Sequence, residues 1–381
     1  MKQILILCLL STFLLSKDSF TIIGNPYIEK YKDGEKIYAR NIWDMQFFDG
    51  KIYLGGGNSS NEGPAQNAGR VPLFSLDPKT DKFSYEYEIA EEQIDLLKVY
   101  NNTLFIPGHD STQKWDFGNI YKKENNKWAK YRTLPNALHI YDLVVKDKQI
   151  FTAIGLNKYG AVFISDMNAN SWEELEQGSG RVYSFFEVGN ELFATKTFKP
   201  YDIEKLSVTQ WIESRRTFSA RFDLNAYKIF PDTKFENKSI KIIKPIKFDE
   251  KDSFYIGAYK HNDHQNIPFG LFKASISKNN IEAKKIELPK GFIPRDIIKR
   301  NNNLYLLVNK NQEIKVLEFS KNNFDKYKEL ISFSYDSFAR SFEEANGCFY
   351  FGIGSEINDT KNWNVSELKE ETGNILKACK K

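Results

Sequence analysis

The sequence predicts an all-β fold, a seven-bladed β-propeller, from three observations: a motif that recurs seven times, the tight polar turn inside each copy, and the near absence of helical periodicity. Each copy joins an apolar stretch to an aromatic-rich one, as in IWDMQFFDGKIYLGGG, IDLLKVYNNTLFIPGHD, IYDLVVKDKQIFTAIG and FARSFEEANGCFYFGIG. The aromatic after each turn marks the period. These markers are Tyr53, Phe105, Phe151, Phe193, Tyr255, Tyr305 and Tyr350, spaced by 52, 46, 42, 62, 50 and 45 residues. Asp-Gly, Asn-Asn and Gly-Asn pairs between runs rich in Val, Ile, Tyr and Phe are hairpin signals. Outer strands follow in VPLFSLDPKTDKFSYEYEI and GNIYKKENNKWAKYRTL, so each unit supplies four antiparallel strands. A six-bladed propeller and a β-sandwich are the alternatives.

The chain ends support seven blades. The last repeat shows only three strands and finishes at GNILKAC (373–379), while residues 20–31 form a strand-like stretch before the first repeat. An N-terminal strand completing the last blade would remove an open sheet edge. Pairing Gly354 with Gly373 in antiparallel register sets Cys348 opposite Cys379. The register favours a disulfide over two separate thiols.

Lys2, the apolar run Ile4 to Leu15 and the small Ser16 read as a signal peptide over 1–16, leaving 17–381 as one propeller domain. The run is shorter than the roughly 20 residues a membrane span needs, and no later segment approaches that length. Cys8 lies inside the run, which argues against a lipid anchor. The expected location is the periplasm or outside the cell, where disulfides form. With 54 basic against 50 acidic residues, a net charge of +4 and no long Lys/Arg run, nucleic-acid and membrane-surface binding are not expected. The expected state is a monomer.

The turns joining first to second strands are minimal, whereas the loops joining second to third strands are long and polar: GNSSNEGPAQNAGRVP (57–72), PGHDSTQKWDFG (107–118) and YKHNDHQNIPFG (259–270). Function concentrates on such loops. The four histidines, His109, His139, His261 and His264, all fall on this face or on the strand starts beside it. An imidazole there could act as acid or base, and His261-x-x-His264 with His109 or His139 could hold a divalent metal, against the plainer reading of hydrogen-bonding loop residues. Asp44, Asp142 and Asp296 each precede their marker by nine positions and Asp95 does so by ten, which places them around one end of the channel, either as ligand-orienting groups or as a hydrogen-bonding device of the repeat. Arg40, Arg181, Arg295 and Arg340 lie near the same strand starts, and a guanidinium fork suits a carboxylate, sulfate or phosphate. The candidate ligand-binding set is Asn58, Glu62, Asn67, Arg70, Glu92, Asp95, His109, Asp110, Trp115, His139, Asp142, Arg181 and Arg340. The long interval from Phe193 to Tyr255 suggests an insertion at about 197–218, read as a lid or as a packed surface excursion.

Ser165-Asp166-Met167-Asn168-Ala169-Asn170-Ser171-Trp172 resembles a degenerate Asp-box, with its Asp one place early and Ala169 in place of Gly. Residues 41–172, through GNSSNEGPAQNAGRVP, EEQID (91–95), PGHD (107–110), WDFGN (115–119) and LPNALHIYD (134–142), are similar to secreted bacterial kelch/BNR-like (sialidase-like) propeller proteins of unassigned activity. The resemblance implies fold and export. The arginine triad, Tyr/Glu nucleophile pair and acid Asp of sialidases do not map onto these residues. Glu356 to Thr360 fits an acidic N-glycosylation sequon at Asn358. Two functions are expected from these features: binding of a polar small molecule or glycan on the long-loop face, with hydrolase or lyase chemistry as an extension, or a non-catalytic scaffold for a periplasmic or surface protein.

Overall fold

The computed structural model describes residues 18–32, 34–60, 65–155, 159–261, 265–278, 280–356 and 368–380. They form seven four-stranded antiparallel sheets. The innermost strands are Asp44–Phe48, Lys98–Tyr100, His139–Lys146, Ser184–Val188, Ile240–Lys247, Ile293–Arg300 and Phe338–Ala345, one for each of blades 1 to 7. The seven aromatic markers sit on the second strands and are all buried, where they pack between neighbouring sheets. Asp49-Gly50, Asn101-Asn102, Asp147-Lys148 and Asn346-Gly347 have positive φ at both positions, the primed-turn geometry whose twist matches the flanking strands.

The last blade closes as expected. Its strand order is Phe338–Ala345, Cys348–Gly354, Ile375–Cys379 and then Thr21–Gly24, with Thr21 opposite Lys377. Cys348 is opposite Cys379 in the ladder and bonded to it. The N-terminal strand is shorter than the 20–31 stretch suggests because Pro26 has no N–H to continue the ladder. The chain turns instead at Asn25, whose side chain accepts from the Tyr27 N–H (3.1 Å), and Tyr27 plugs into blade 1 with its hydroxyl on the Leu54 carbonyl (2.8 Å). Only glycine fits at Gly56, because a Cβ there would lie 2.6 Å from the Tyr27 ring.

The expected insertion at 197–218 is corrected by the structure. Val208–Ile212 and Thr217–Ala220 are the two outer strands of blade 4, and Trp211 packs on Phe151 of blade 3 with ring centroids 5.1 Å apart. The extra length follows them, at 221–239, with one short helix, Ala226–Ile229, capped by the Asn225 side chain. Leu224, Ala226, Ile229 and Phe230 fill the space between blades 4 and 5. The segment is part of the core there. The signal-peptide region, 1–16, lies outside the described residues. Among those residues no helix is long and apolar enough to cross a membrane.

Candidate functional site at the channel mouth

Two adjacent repeat positions build the channel. Nine residues before the marker stand Asp44, Asp142, Ser184, Asp296 and Ser341, and each reaches the next blade. Asp44 Oδ2 accepts from the Leu97 N–H (2.7 Å), Asp142 Oδ2 from Phe185 (2.7 Å) and Asp296 Oδ2 from Phe342 (3.1 Å). The Ser184 and Ser341 hydroxyls donate to the carbonyls of Ile242 (3.2 Å) and Ile42 (2.8 Å). These residues staple the ring. Two lysines continue the belt: Lys98 lies 2.5 Å from Asp142, and Lys244 pairs with Asp44 and, at 3.3 Å, Asp296. The hydrogen-bonding role of the repeated Asp is therefore on view, and the carboxylates also line the deeper channel.

Ten residues before the marker stand Trp43, Asp95, Tyr141, Tyr183, Arg295 and Arg340. All six line the funnel at the mouth of a cavity of about 770 Å³ that continues into the channel. Tyr141, Arg295 and Arg340 are each the extra residue of a bulge, because the ladder skips from Ile140 to Asp142, Pro294 to Asp296 and Ala339 to Ser341. A bulge bends the strand and re-aims the unpaired side chain. The same repeat thus fixes its Asp or Ser to a neighbouring blade and turns the preceding residue into the lumen.

One wall holds an acid–base cluster. Asp110 lies between two imidazoles, with Oδ1 2.5 Å from His139 Nδ1 and Oδ2 3.5 Å from His109 Nε2. The other nitrogen of His109 is 2.9 Å from Asp95 Oδ2. Burial alone would lower the His109 pKa, but the carboxylates of Asp95 and Asp110 outweigh it and carry it up to about 9. Burial would likewise raise Asp95, yet the facing imidazolium holds it below the usual carboxylate range. Tyr141 stacks on His139 (5.4 Å) and packs against Tyr183 (4.8 Å), and the Arg181 guanidinium donates to its hydroxyl (2.6 Å). Lys241 lies over the Tyr183 ring at 3.7 Å. Opposite, Arg340 covers Trp43 at 4.3 Å, and Arg295 pairs with Glu356.

The PGHD loop owes its position to the EEQID segment beneath it. Glu92 N–H donates to the Asp110 carbonyl (2.8 Å), Thr112 N–H to Ala90 (3.0 Å), and Glu91 bridges Ser111. Gly108 has no room for a side chain, since a Cβ would fall 2.6 Å from the Asn119 carbonyl and 2.9 Å from the Glu91 carboxyl. The Glu91 carboxyl is fully buried; its Oε1 accepts from Asn119 (2.5 Å) and Tyr121 (3.0 Å). Among the described residues its Oε2 and Asn119 Oδ1 have no hydrogen-bond partner, and an unpaired buried oxygen is better tolerated as a protonated carboxyl than as a carboxylate. Burial pushes its pKa up to about 7, against the Asn119 and Tyr121 hydrogen bonds that favour the ionised form. The folded state therefore holds a proton that the unfolded chain releases above about 4.5, so stability is full below that pH and falls as pH rises through 7. Between about pH 5 and 7.5 the loss should be about 2 kcal/mol. Urea unfolding of Glu91→Gln should show this acid-side slope removed, while the fall due to His109, between about 6.5 and 9, persists. An unchanged slope in the variant would refute a protonated Glu91.

Of the residues singled out in sequence, Asn58, Asp95, His109, Asp110, His139, Asp142, Arg181 and Arg340 line the funnel. Asn58 organises its loop, accepting from Ser60 (3.1 Å) and donating to Gln66 (3.0 Å). Arg70 pairs with Glu88 at an exposed edge (3.0 Å), Asn67 closes its own turn onto Gly69 (2.8 Å) beside Glu92, and Trp115 is 62% exposed; none of these lines the funnel. Glu62, His264, the His261 ring and the Asn358 sequon lie outside the described residues, and so does the metal expectation placed on the His pair. Among the described residues no three His, Cys, Asp or Glu side chains are grouped to hold a metal ion. Trp43, Tyr141, Tyr183 and Lys241 were not singled out, and Glu356 only as the start of the sequon, although the ten-residue offset that flags Asp95 also selects the first three.

No known protein family matches the sequence, and no curated protein matches it. Solved structures share the fold. A GH74 enzyme of Niastella koreensis superposes with a TM-score of 0.55 at 11% identity over 88% of this chain and 52% of its own. Hydrazine synthase of Kuenenia stuttgartiensis gives 0.53 at 9% over 83% and 93%, and an extracellular domain from B. thetaiotaomicron gives 0.51 at 9% over 88% and 41%. The chain spans about half or less of the first and last of these. Such likeness concerns the propeller fold alone.

Proposed function

We propose that this chain is an exported propeller that binds a polar small molecule or carbohydrate in the funnel. The observation that carries the reading is convergence: His109, Asp110, His139, Arg181 and Arg340 come from loops and strands far apart in sequence and line one concavity with Trp43, Tyr141 and Tyr183 as aromatic walls. A concavity of this size with flat aromatic faces and few convergent polar groups suits a small ligand. The Cys348–Cys379 bond and the N-terminal apolar run support export. The two imidazoles flanking Asp110 also equip the site for proton transfer, as a hydrolase or lyase requires.

A thermal-shift screen of the mature protein against neutral, acidic and sulfated glycans and divalent metals tests the reading. A ligand at about 100 times its Kd should stabilise the fold by about 2.7 kcal/mol, and Tyr141→Ala or His139→Ala should remove the shift. A second reading, a scaffold for a protein partner, draws on the exposed Trp115 and Phe117 of the 107–118 loop. It gains if no small molecule shifts the melting transition.

A further inference from the structure

The upper funnel is rich in cationic groups. Among the described residues Arg181, Arg295, Arg340 and the protonated His109 line it together with three carboxylates, Asp95, Asp110 and Glu356. Those three are committed, Asp95 and Asp110 to the histidines and Glu356 to Arg295. Deeper in the channel Lys98, Lys244 and Lys247 meet Asp44, Asp142, Glu187 and Asp296, so the arginines belong to the mouth.

Two guanidiniums stand out. Arg181 donates to the neutral Tyr141 hydroxyl (2.6 Å), and Arg340 to Asn41 Oδ1 (3.0 Å) and the Ser355 carbonyl (2.7 Å); neither has a described carboxylate within 4.0 Å. Burial works against the Arg340 charge, and Arg295 Nε beside it has no hydrogen-bond partner among the described residues. Arg181 lies at the junction of blades 3 and 4 and Arg340 on blade 7, on opposite sides of a seven-blade ring. A ligand that meets both from the walls they stand on reaches across the mouth. Asp95 and Glu356 favour the Arg340 charge only from beyond 4.0 Å, so a ligand anion would be the first to bond either guanidinium directly.

We propose that the funnel takes a short acidic saccharide bearing two separated anionic groups, carboxylate or sulfate, one held by Arg181 and the other by Arg340 with Arg295. The inference rests on the funnel being the binding site. Trp43 and Tyr141, each beside one of these arginines, offer ring faces for the sugar body. A neutral glycan would give neither guanidinium a directly bonded anion.

Calorimetric titration with digalacturonate, its dimethyl ester, galacturonate and a disulfated disaccharide decides the matter. Either dianion should bind about 100-fold or more tighter than the ester, with affinity falling as salt rises, and Arg181→Gln and Arg340→Gln should each cost about 10- to 100-fold. Each variant should also lose most of the preference for digalacturonate over galacturonate while melting as the wild type does. Equal binding of ester and diacid would overturn the dianion inference and leave the site standing. Full affinity for the diacid in either arginine variant would also overturn it. No binding by any of the four, together with an empty glycan screen, would overturn the site itself.

Discussion

Replacing Asp142 by alanine is expected to destabilise the propeller by about 3–5 kcal/mol, the usual result of leaving one member of a buried ion pair alone. Two groups lose their partner at once. Asp142 is 3% exposed; its Oδ1 is 2.5 Å from Lys98 Nζ, and its Oδ2 accepts the Phe185 N–H at the start of blade 4. The ammonium is left with Tyr100 and Glu187 as nearby groups, and burial holds the Glu187 carboxyl above its usual pKa, so it compensates poorly. The orphaned N–H belongs to Phe185, which is buried at a blade junction. Asp142→Asn separates the two contributions, because the amide oxygen can still accept from Phe185 while the charge for Lys98 is lost. Urea denaturation should rank wild type above Asn above Ala. If alanine costs less than about 1 kcal/mol, the staple is not what holds blades 3 and 4 together.

The blade count, the closing strand and the Cys348–Cys379 register were legible because each depends on local chemistry that repeats: positive-φ turn pairs, period-2 burial and a buried aromatic at the same place on every second strand. Blade 4 was misread for a related reason. Its third and fourth strands are short and joined by the left-handed Arg216 rather than by a Gly or Asn pair, so the hairpin left no turn signature and its residues looked like an insertion. The funnel was half legible. His109, Asp110 and His139 stood out by residue type, whereas Tyr141, Tyr183 and Trp43 looked like core aromatics. The discriminating feature was their position one residue before the stapling Asp or Ser, and the three bulges that expose Tyr141, Arg295 and Arg340 leave no mark in composition. Arg70 and Trp115 failed to join the funnel because loop length does not say which way a side chain faces; an exposed carboxylate, Glu88, took the first. Lys241 and Lys244 escaped notice because blade 5 departs from the offset: its inner strand has an irregularity between Ile243 and Ile246.

Removing the Cys348–Cys379 bond should lower stability by about 3–4 kcal/mol, the entropy of closing a loop of this length in the unfolded chain. The two cysteines are 31 residues apart and directly paired across the second and third strands of the last blade. The bond holds Ile375–Cys379, and that strand is in turn the only ladder partner of Thr21–Gly24 among the described residues. Closure of the ring therefore runs through it. Cys348 is half-buried and Cys379 exposed, so a serine at each adds little packing cost of its own and the paired substitution reads the cross-link rather than a cavity. Denaturant unfolding of the double serine variant should show a lower midpoint together with a steeper slope, since the unfolded chain, no longer tethered, exposes more surface. Wild type under a strong reductant should match the variant, whereas reductant should leave the variant unmoved. A midpoint shift with no change in slope would locate the effect in the native blade instead. No shift at all would mean that the five-pair ladder from Cys348 to Gly352 and the packing of Leu376 and Ala378 already close the ring without the bond.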